Sequence, residues 1–251
     1  MLEMIDHGAV REVHMNRPPV NALDPGLVAA LDAAISGAAS EARAVVLSGN
    51  PGLFSAGLDM KALLALDRAQ LGEFWQSFQS LLRTLATSPI PVVAAITGHS
   101  PAGGAVMAIF CDERVGAEGE FVIGVNEVQV GLTMPALIHS AMVRLVGARQ
   151  AERLCVGGLL VQMEEALRIG LVDELVPPDQ VVARAVARCE ALLKLPPKAM
   201  TNTRALCRAD LAAEFDRVGA SFADSMNERW FSDETQSTMK AVLAQLAAKK
   251  K

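Results

Sequence analysis

The stretch 91–112, PVVAAITGHSPAGGAVMAIFCD, constrains the fold more than any other part of the chain. Its run Val92-Val93-Ala94-Ala95-Ile96 is continuously apolar, as expected of a strand buried on both faces. A loop of small residues follows: Gly98, Ser100, Pro101, Ala102, Gly103 and Gly104. From about Gly104 to Cys111 the chain reads as helix. A strand that passes through glycines into a helix leaves several backbone N–H groups unpaired at the helix start. The positive end of the helix dipole lies behind them, so such a turn suits an anion or a developing oxyanion. Taken alone, a glycine loop after a strand is an ordinary tight turn. It is not a nucleotide fingerprint, because neither GxGxxG nor GxxxxGK(S/T) occurs.

A second stretch repeats the pattern. The apolar run Ala44-Val45-Val46-Leu47 leads through Gly49-Asn50-Pro51-Gly52 into Phe54-Ser55-Ala56-Gly57-Leu58-Asp59-Met60. The two loops, in this order and spacing, resemble those of the enoyl-CoA hydratase/isomerase (crotonase) superfamily. Its first loop reads F-x-A-G-x-D and its second G-x-x-x-(G/A)-G-G. The resemblance runs from Asn16-Arg17-Pro18-Pro19-Val20-Asn21-Ala22-Leu23 to Gly170-Leu171-Val172-Asp173. It implies an α/β fold, a crotonase-like spiral of ββα repeats with a C-terminal all-helical layer.

Composition excludes several classes of function. Apolar residues make up 51% of the 251 and charged residues 20%, which suits a compact globule rather than a disordered chain. A net charge of −5 argues against nucleic acid as a partner. The tail Lys249-Lys250-Lys251 is short and reads as a solvated terminus. No apolar run is long enough to span a bilayer, and the first residues lack the pattern of a signal peptide. A cytoplasmic protein with no membrane partner is the expectation. Cys111, Cys155, Cys189 and Cys207 are widely spaced, so no metal site is expected. Each sits in an apolar, helix-like context and reads as a buried thiol.

Strands alternate with helices up to about residue 176. Segments 9–15 and 44–48 read as strands, 61–86 as one amphipathic helix, and 171–176 as a strand. Asp24-Pro25 starts a helix, with Asp as cap and Pro in the first turn. After Pro178 everything reads as helix: 180–194, 197–208, 211–228 and 233–248. Pro177-Pro178 and Pro196-Pro197 are the clearest boundary marks. The expected division is a spiral core over 1–195 and a helical region over 196–251. The resemblance gives that region a role between subunits of a homotrimer, or a dimer of trimers. The amphipathic 233–248 segment fits this, and fits packing on its own core equally.

The resemblance also assigns roles. The backbone N–H groups of Leu58 and Gly103 would form the oxyanion hole for a thioester carbonyl. Ala56, Gly57, Asp59, Met60, Ala102, Gly104 and Val106 would line or hold the substrate site, with Asp59 fixing the first loop through hydrogen bonds to backbone N–H groups. Two glutamates serve the hydratases of the superfamily. By place in the motif the first would fall at Val106, whose side chain cannot activate water. The second falls at Glu127, within Gly-Val-Asn-Glu. One carboxylate beside an apolar partner suits a proton shuttle, and this departure resembles the mitochondrial-type Δ3,Δ2-enoyl-CoA isomerase branch. The expected reaction moves the double bond of a 3-enoyl-CoA to give the trans-2-enoyl-CoA. No cofactor is implied, since coenzyme A arrives with the substrate. Enoyl-CoA hydration and a non-catalytic acyl-CoA-binding role remain the alternatives, and a binder has no need of Glu127. Glu113, Glu118 and Glu120 read as exposed carboxylates, and His99 as structural.

Overall fold

In a computed structural model, residues 1–219 and 221–248 are described. The lysine tail 249–251 lies outside them. Among the described residues ten strands form two sheets. The first holds β1 (Leu2–His7), β2 (Val10–Met15), β3 (Ala44–Ser48), β5 (Val92–Ile96), β7 (Glu113–Ala117) and β10 (Glu174–Val176), side by side in that order. The second holds β4 (Gly52–Leu53), β6 (Gly98–Pro101), β8 (Val122–Gly124) and β9 (Val161–Gln162). β1 and β2 form an antiparallel hairpin, and β2, β3, β5, β7 and β10 run parallel.

Successive strands feed alternate sheets. β3, β5 and β7 join the first sheet, and β4, β6 and β8 the second. Each pair is followed by helix, so the chain winds as a spiral of ββα turns. β5 lies between β3 and β7, and all five of its residues are buried. Alternation along the strand divides them. Val92, Ala94 and Ile96 enter the main core. Val93 and Ala95 face a second cluster, under Val181, Ala185 and Cys189 of the helix Val181–Leu193. Burial of each such valine removes enough apolar surface to stabilise by about 1.5–3 kcal/mol.

The helix at Pro25–Ala38 starts as expected, with Asp24 accepting from the Leu27 N–H at 2.8 Å. The expected single helix over 61–86 is two, Met60–Leu63 and Arg68–Thr87. Asp67 begins the second with a capping box: it accepts from Gln70 N, and Gln70 Oε1 accepts from Asp67 N. That box satisfies donors a continuous helix would have spent on its own ladder. The expected 211–228 helix is likewise two, Ala209–Val218 and Ser221–Trp230. Cys111, Cys155 and Cys189 are buried, but Cys207 is exposed, because its helix Pro197–Cys207 buries none of its residues. Glu118 and Glu120 are exposed, whereas Glu113 is half-buried against Arg188.

The C-terminal helices pack on the spiral. Phe215, Phe222, Met226 and Trp230 belong to the same buried cluster as Phe74, Trp75 and Phe78 of Arg68–Thr87. Trp75 and Trp230 meet edge to face, with ring centroids 5.7 Å apart. Among the described residues no helix is long and apolar enough to cross a membrane.

Candidate active site

The two glycine loops meet through their backbones. β4 pairs with β6, Gly52 opposite Gly98 and Leu53 opposite His99. Beyond that pairing the first loop is held by Leu23, which donates to the Gly57 carbonyl at 2.8 Å and accepts from Asp59 N at 3.0 Å. A residue bridged on both sides in this way leaves the intervening Leu58 N–H pointing the other way. The Gly103 N–H is free for a different reason, since it opens the helix Gly103–Ile109. The two loops are so close that a Cβ on Gly103 would lie 3.3 Å from Leu58 N. A Cβ on Gly57, whose φ is +84°, would lie 2.8 Å from Gly103 N. Ala102, just before the helix, also has positive φ, +50°, and is held there by its N–H bond to the Gly124 carbonyl at 2.8 Å. Such strain in a non-glycine residue persists only where its surroundings over-determine it.

Residues Asn21, Arg17 and Asp59 form the frame behind the first loop. Asn21 is fully buried with φ +47°. Its side chain donates to the Met15 and Phe54 carbonyls and accepts from Arg17 N. Ser55 Oγ donates to the Asn21 carbonyl and accepts from Gly57 N. Asp59 caps Met60–Leu63 by accepting from Ala62 N at 3.0 Å, and it also receives Arg17 Nη2 at 3.1 Å. Arg17 further donates to Asp24 and to the Ala22 carbonyl. Arg17 and Asn21 lie in the motif segment 16–23, but their partners Asp59 and Phe54 are 42 and 33 positions away, which no local pattern reveals.

In front of the loops is a cavity of about 350 Å³. The structure brings Ala56, Leu58, Met60, Ala102, Gly103, Val106 and Glu127 to its wall. Gly57, Asp59 and Gly104 sit behind it. A Cβ on Gly104 would stand 2.7 Å from the Ser55 carbonyl oxygen, so Gly104 serves loop-on-loop contact. The far wall is aromatic and apolar, with Trp75, Phe78, Ile138, Met226 and Trp230. The sequence reading missed this wall. Its only signal was amphipathic spacing, which any core helix shares.

Glu127 is the one ionisable side chain of the lining among the described residues. It opens a 3-10 turn, Glu127–Val130. Its Oε2 is shut off from bulk solvent and has no hydrogen-bond partner among the described residues. Burial pushes the carboxyl up to about 7, partly opposed by a bond from the residue's own backbone N–H. The neighbouring Cys155 thiol is raised to about 11, first by burial and then by the charge of Glu127. Val106 is 1% exposed on the helix Gly103–Ile109 and presents only hydrocarbon to the cavity. Asn126, next to Glu127, also has a buried Oδ1 without a partner among the described residues. His99 accepts from Val122 N at 3.2 Å and stacks edge-on against Phe121, a structural position. Among the described residues no group of three or more His, Cys, Asp or Glu gathers at metal-ligand spacing.

Two glycine loops that meet beside an apolar cavity lined by one carboxylate, in a ββα spiral, fit the crotonase class. Comparison with known proteins agrees. The family model described as Enoyl-CoA hydratase/isomerase matches residues 6–247. The mouse protein named "Enoyl-CoA delta isomerase 1, mitochondrial" is 31% identical, over 100% of this chain and 88% of its own length. A "Putative enoyl-CoA hydratase" of Thermus thermophilus is 35% identical over 82% of this chain and 83% of its own. The crystal structure of human mitochondrial delta3-delta2-enoyl-CoA isomerase superposes with a TM-score of 0.95 at 30% identity, covering 100% of this chain and 99% of the other. The chain belongs to the enoyl-CoA hydratase/isomerase family, and it is an enzyme of that family with the crotonase fold.

Proposed function

We propose that the protein is a Δ3,Δ2-enoyl-CoA isomerase with Glu127 as its single base. The observation that carries this reading is the pairing of Glu127 with Val106. The cavity offers one carboxylate, where hydration calls for one group to activate water and another to deliver a proton.

The Glu127 carboxylate takes a proton from C2 of a 3-enoyl-CoA. The electron pair moves into the thioester, giving a dienolate whose oxygen carries the charge. That oxygen sits between the Leu58 and Gly103 N–H groups, which stabilise it more than they stabilise the ground-state carbonyl. Each such donor contributes on the order of 3 kcal/mol to the barrier. The Glu127 carboxyl then returns its proton at C4, and the double bond comes to rest between C2 and C3. Atoms and electrons balance without water, a metal or a redox partner, and coenzyme A enters and leaves with the acyl group. A carboxyl poised near 7 exchanges protons readily in both directions. The hydrocarbon of Val106 and the aromatic wall keep water from trapping the intermediate.

Deuterium at C2 of a 3-enoyl-CoA tests the shuttle. A single base transfers part of that label to C4 of the product. Product with no C4 label, or a 3-hydroxyacyl-CoA as main product, would sink the reading. By the same resemblance we infer a homotrimer or dimer of trimers. The helix Pro197–Cys207 buries no residue and leaves Leu206 76% exposed, as surface awaiting another subunit would. A monomer in sedimentation equilibrium would rule that out.

A further inference from the structure

The turn that bears Glu127 is held from behind by the C-terminal helix Asp233–Ala248. Thr235 is 1% exposed, and its Oγ1 donates to the Gly131 carbonyl at 2.6 Å. Gly131 closes the turn. It has φ +75°, and its N–H donates to the Val128 carbonyl at 3.1 Å. The next N–H, of Leu132, donates to the Glu127 carbonyl at 3.0 Å. Contact is tight at this point, since a Cβ on Gly131 would lie 3.0 Å from Thr235 Cα. Thr235 is itself fixed. Ser232 Oγ donates to Thr235 Oγ1 at 2.9 Å and accepts from Thr235 N at 3.2 Å, capping the helix. The hydroxyls therefore form a directed chain, from Ser232 through Thr235 to Gly131. On its other side the turn is tied by Gln129, which donates to the Gly158 carbonyl at 2.7 Å.

We propose that Thr235 is a positioning residue for Glu127, fixing through the Gly131 carbonyl the turn that aims the carboxyl into the cavity. The inference rests on the reading of Glu127 as the base. Among the described residues the Glu127 Oε2 has no side-chain partner to aim it, so its direction comes from the backbone that carries it. The same helix lends Met239 and Val242 to the cavity wall. The C-terminal helix thus joins the acyl pocket to the base.

Thr235→Val keeps the shape of the side chain and removes only the hydroxyl, whereas Thr235→Ser keeps the hydroxyl. Two readouts apply. The first is the split between kcat and KM on whichever enoyl-CoA the wild type turns over. The second is amide hydrogen exchange at Leu132, which reports the turn without any substrate. Thr235→Val should lower kcat about 10- to 100-fold, the range for a misplaced catalytic group. KM should stay within about twofold, since substrate contacts are untouched. Leu132 exchange should accelerate, and Thr235→Ser should restore both quantities. Wild-type kcat in Thr235→Val, or equal damage in Thr235→Ser, would overturn the proposal. If the wild type turns over no enoyl-CoA, the isomerase reading fails by itself and Leu132 exchange decides: unchanged exchange in Thr235→Val ends the positioning role. Should Thr235→Val not fold, Ser232→Ala loosens the same chain more gently. It must then speed Leu132 exchange, and no change would count against the proposal.

Discussion

Arg17 Nη2 donates to Asp59 Oδ2 at 3.1 Å, joining the end of the first hairpin to the loop that carries Leu58. The same nitrogen donates to Asp24 at 2.7 Å, so one guanidinium sets the loop, its helix cap and the start of Pro25–Ala38. Side-chain exposures of 25% and 21% leave the Arg17–Asp59 pair partly screened. Arg17→Met should cost about 1–2 kcal/mol in urea unfolding. Its larger effect is on kcat, about tenfold down, as the Leu58 N–H loses its aim. A variant with reduced stability and unchanged kcat would show that the frame does not position the loop.

The approach of the two loops leaves no room for a methyl group. Gly57→Ala combines an unfavourable positive φ, which costs about 1–2 kcal/mol, with a Cβ set 2.8 Å from Gly103 N. Thermal unfolding should shift down by about 4 °C or more, and turnover should be lost. Gly37→Ala is the contrasting case. It lies in the helix Pro25–Ala38 with nothing within 4 Å of the added Cβ, and it should stabilise by about 0.5–1 kcal/mol.

The raised carboxyl of Glu127 makes two pH predictions. Proton abstraction needs the carboxylate, so kcat/KM should rise with pH through about 7. Stability moves oppositely. Between the ordinary value of 4.5 and about 7, the folded chain holds a proton that the unfolded chain gives up. Stability contributed by this group is therefore complete below pH 4.5 and is lost as pH rises through 7. Glu127→Gln lacks that slope. Relative to wild type it should gain up to about 3 kcal/mol between pH 4 and pH 8, read from denaturant midpoints at the two values.

Val106→Glu would place a second carboxyl in the cavity. Water could then be held between two acid–base groups. Hydration of a 2-enoyl-CoA should rise about tenfold or more over wild type, and isomerisation should fall by a similar factor. Absence of any hydration in a folded Val106→Glu variant would show that this position does not decide between the reactions.

Much of the architecture was legible in the chain. The apolar run Val92 to Ile96 is the buried middle of the main sheet, because continuous burial on both faces writes itself into consecutive residues. Asp24-Pro25 announced a helix start, since capping is local. The break at Asp67 was also written locally, as Asp67 with Gln70, but the apolar periodicity across it hid the stop. What the sequence did not carry was long-range. The Asn21 and Arg17 frame joins residues some 30 to 40 apart. Trp230 and Met226 reach the cavity from the far end of the chain. Thr235, one threonine in a polar helix start, gave no sign that it would meet Gly131. Cys207 looked like its three buried counterparts, because exposure of its whole helix is set by what packs against it.

Parallel assays on wild type and Glu127→Gln test the central claim most directly: turnover of a 3-enoyl-CoA beside hydration of a 2-enoyl-CoA. The single-base reading predicts rapid isomerisation with little hydration in the wild type, and loss of isomerisation by about 10²-fold or more in Glu127→Gln. Dominant hydration by the wild type, or isomerisation that survives in Glu127→Gln, would contradict it.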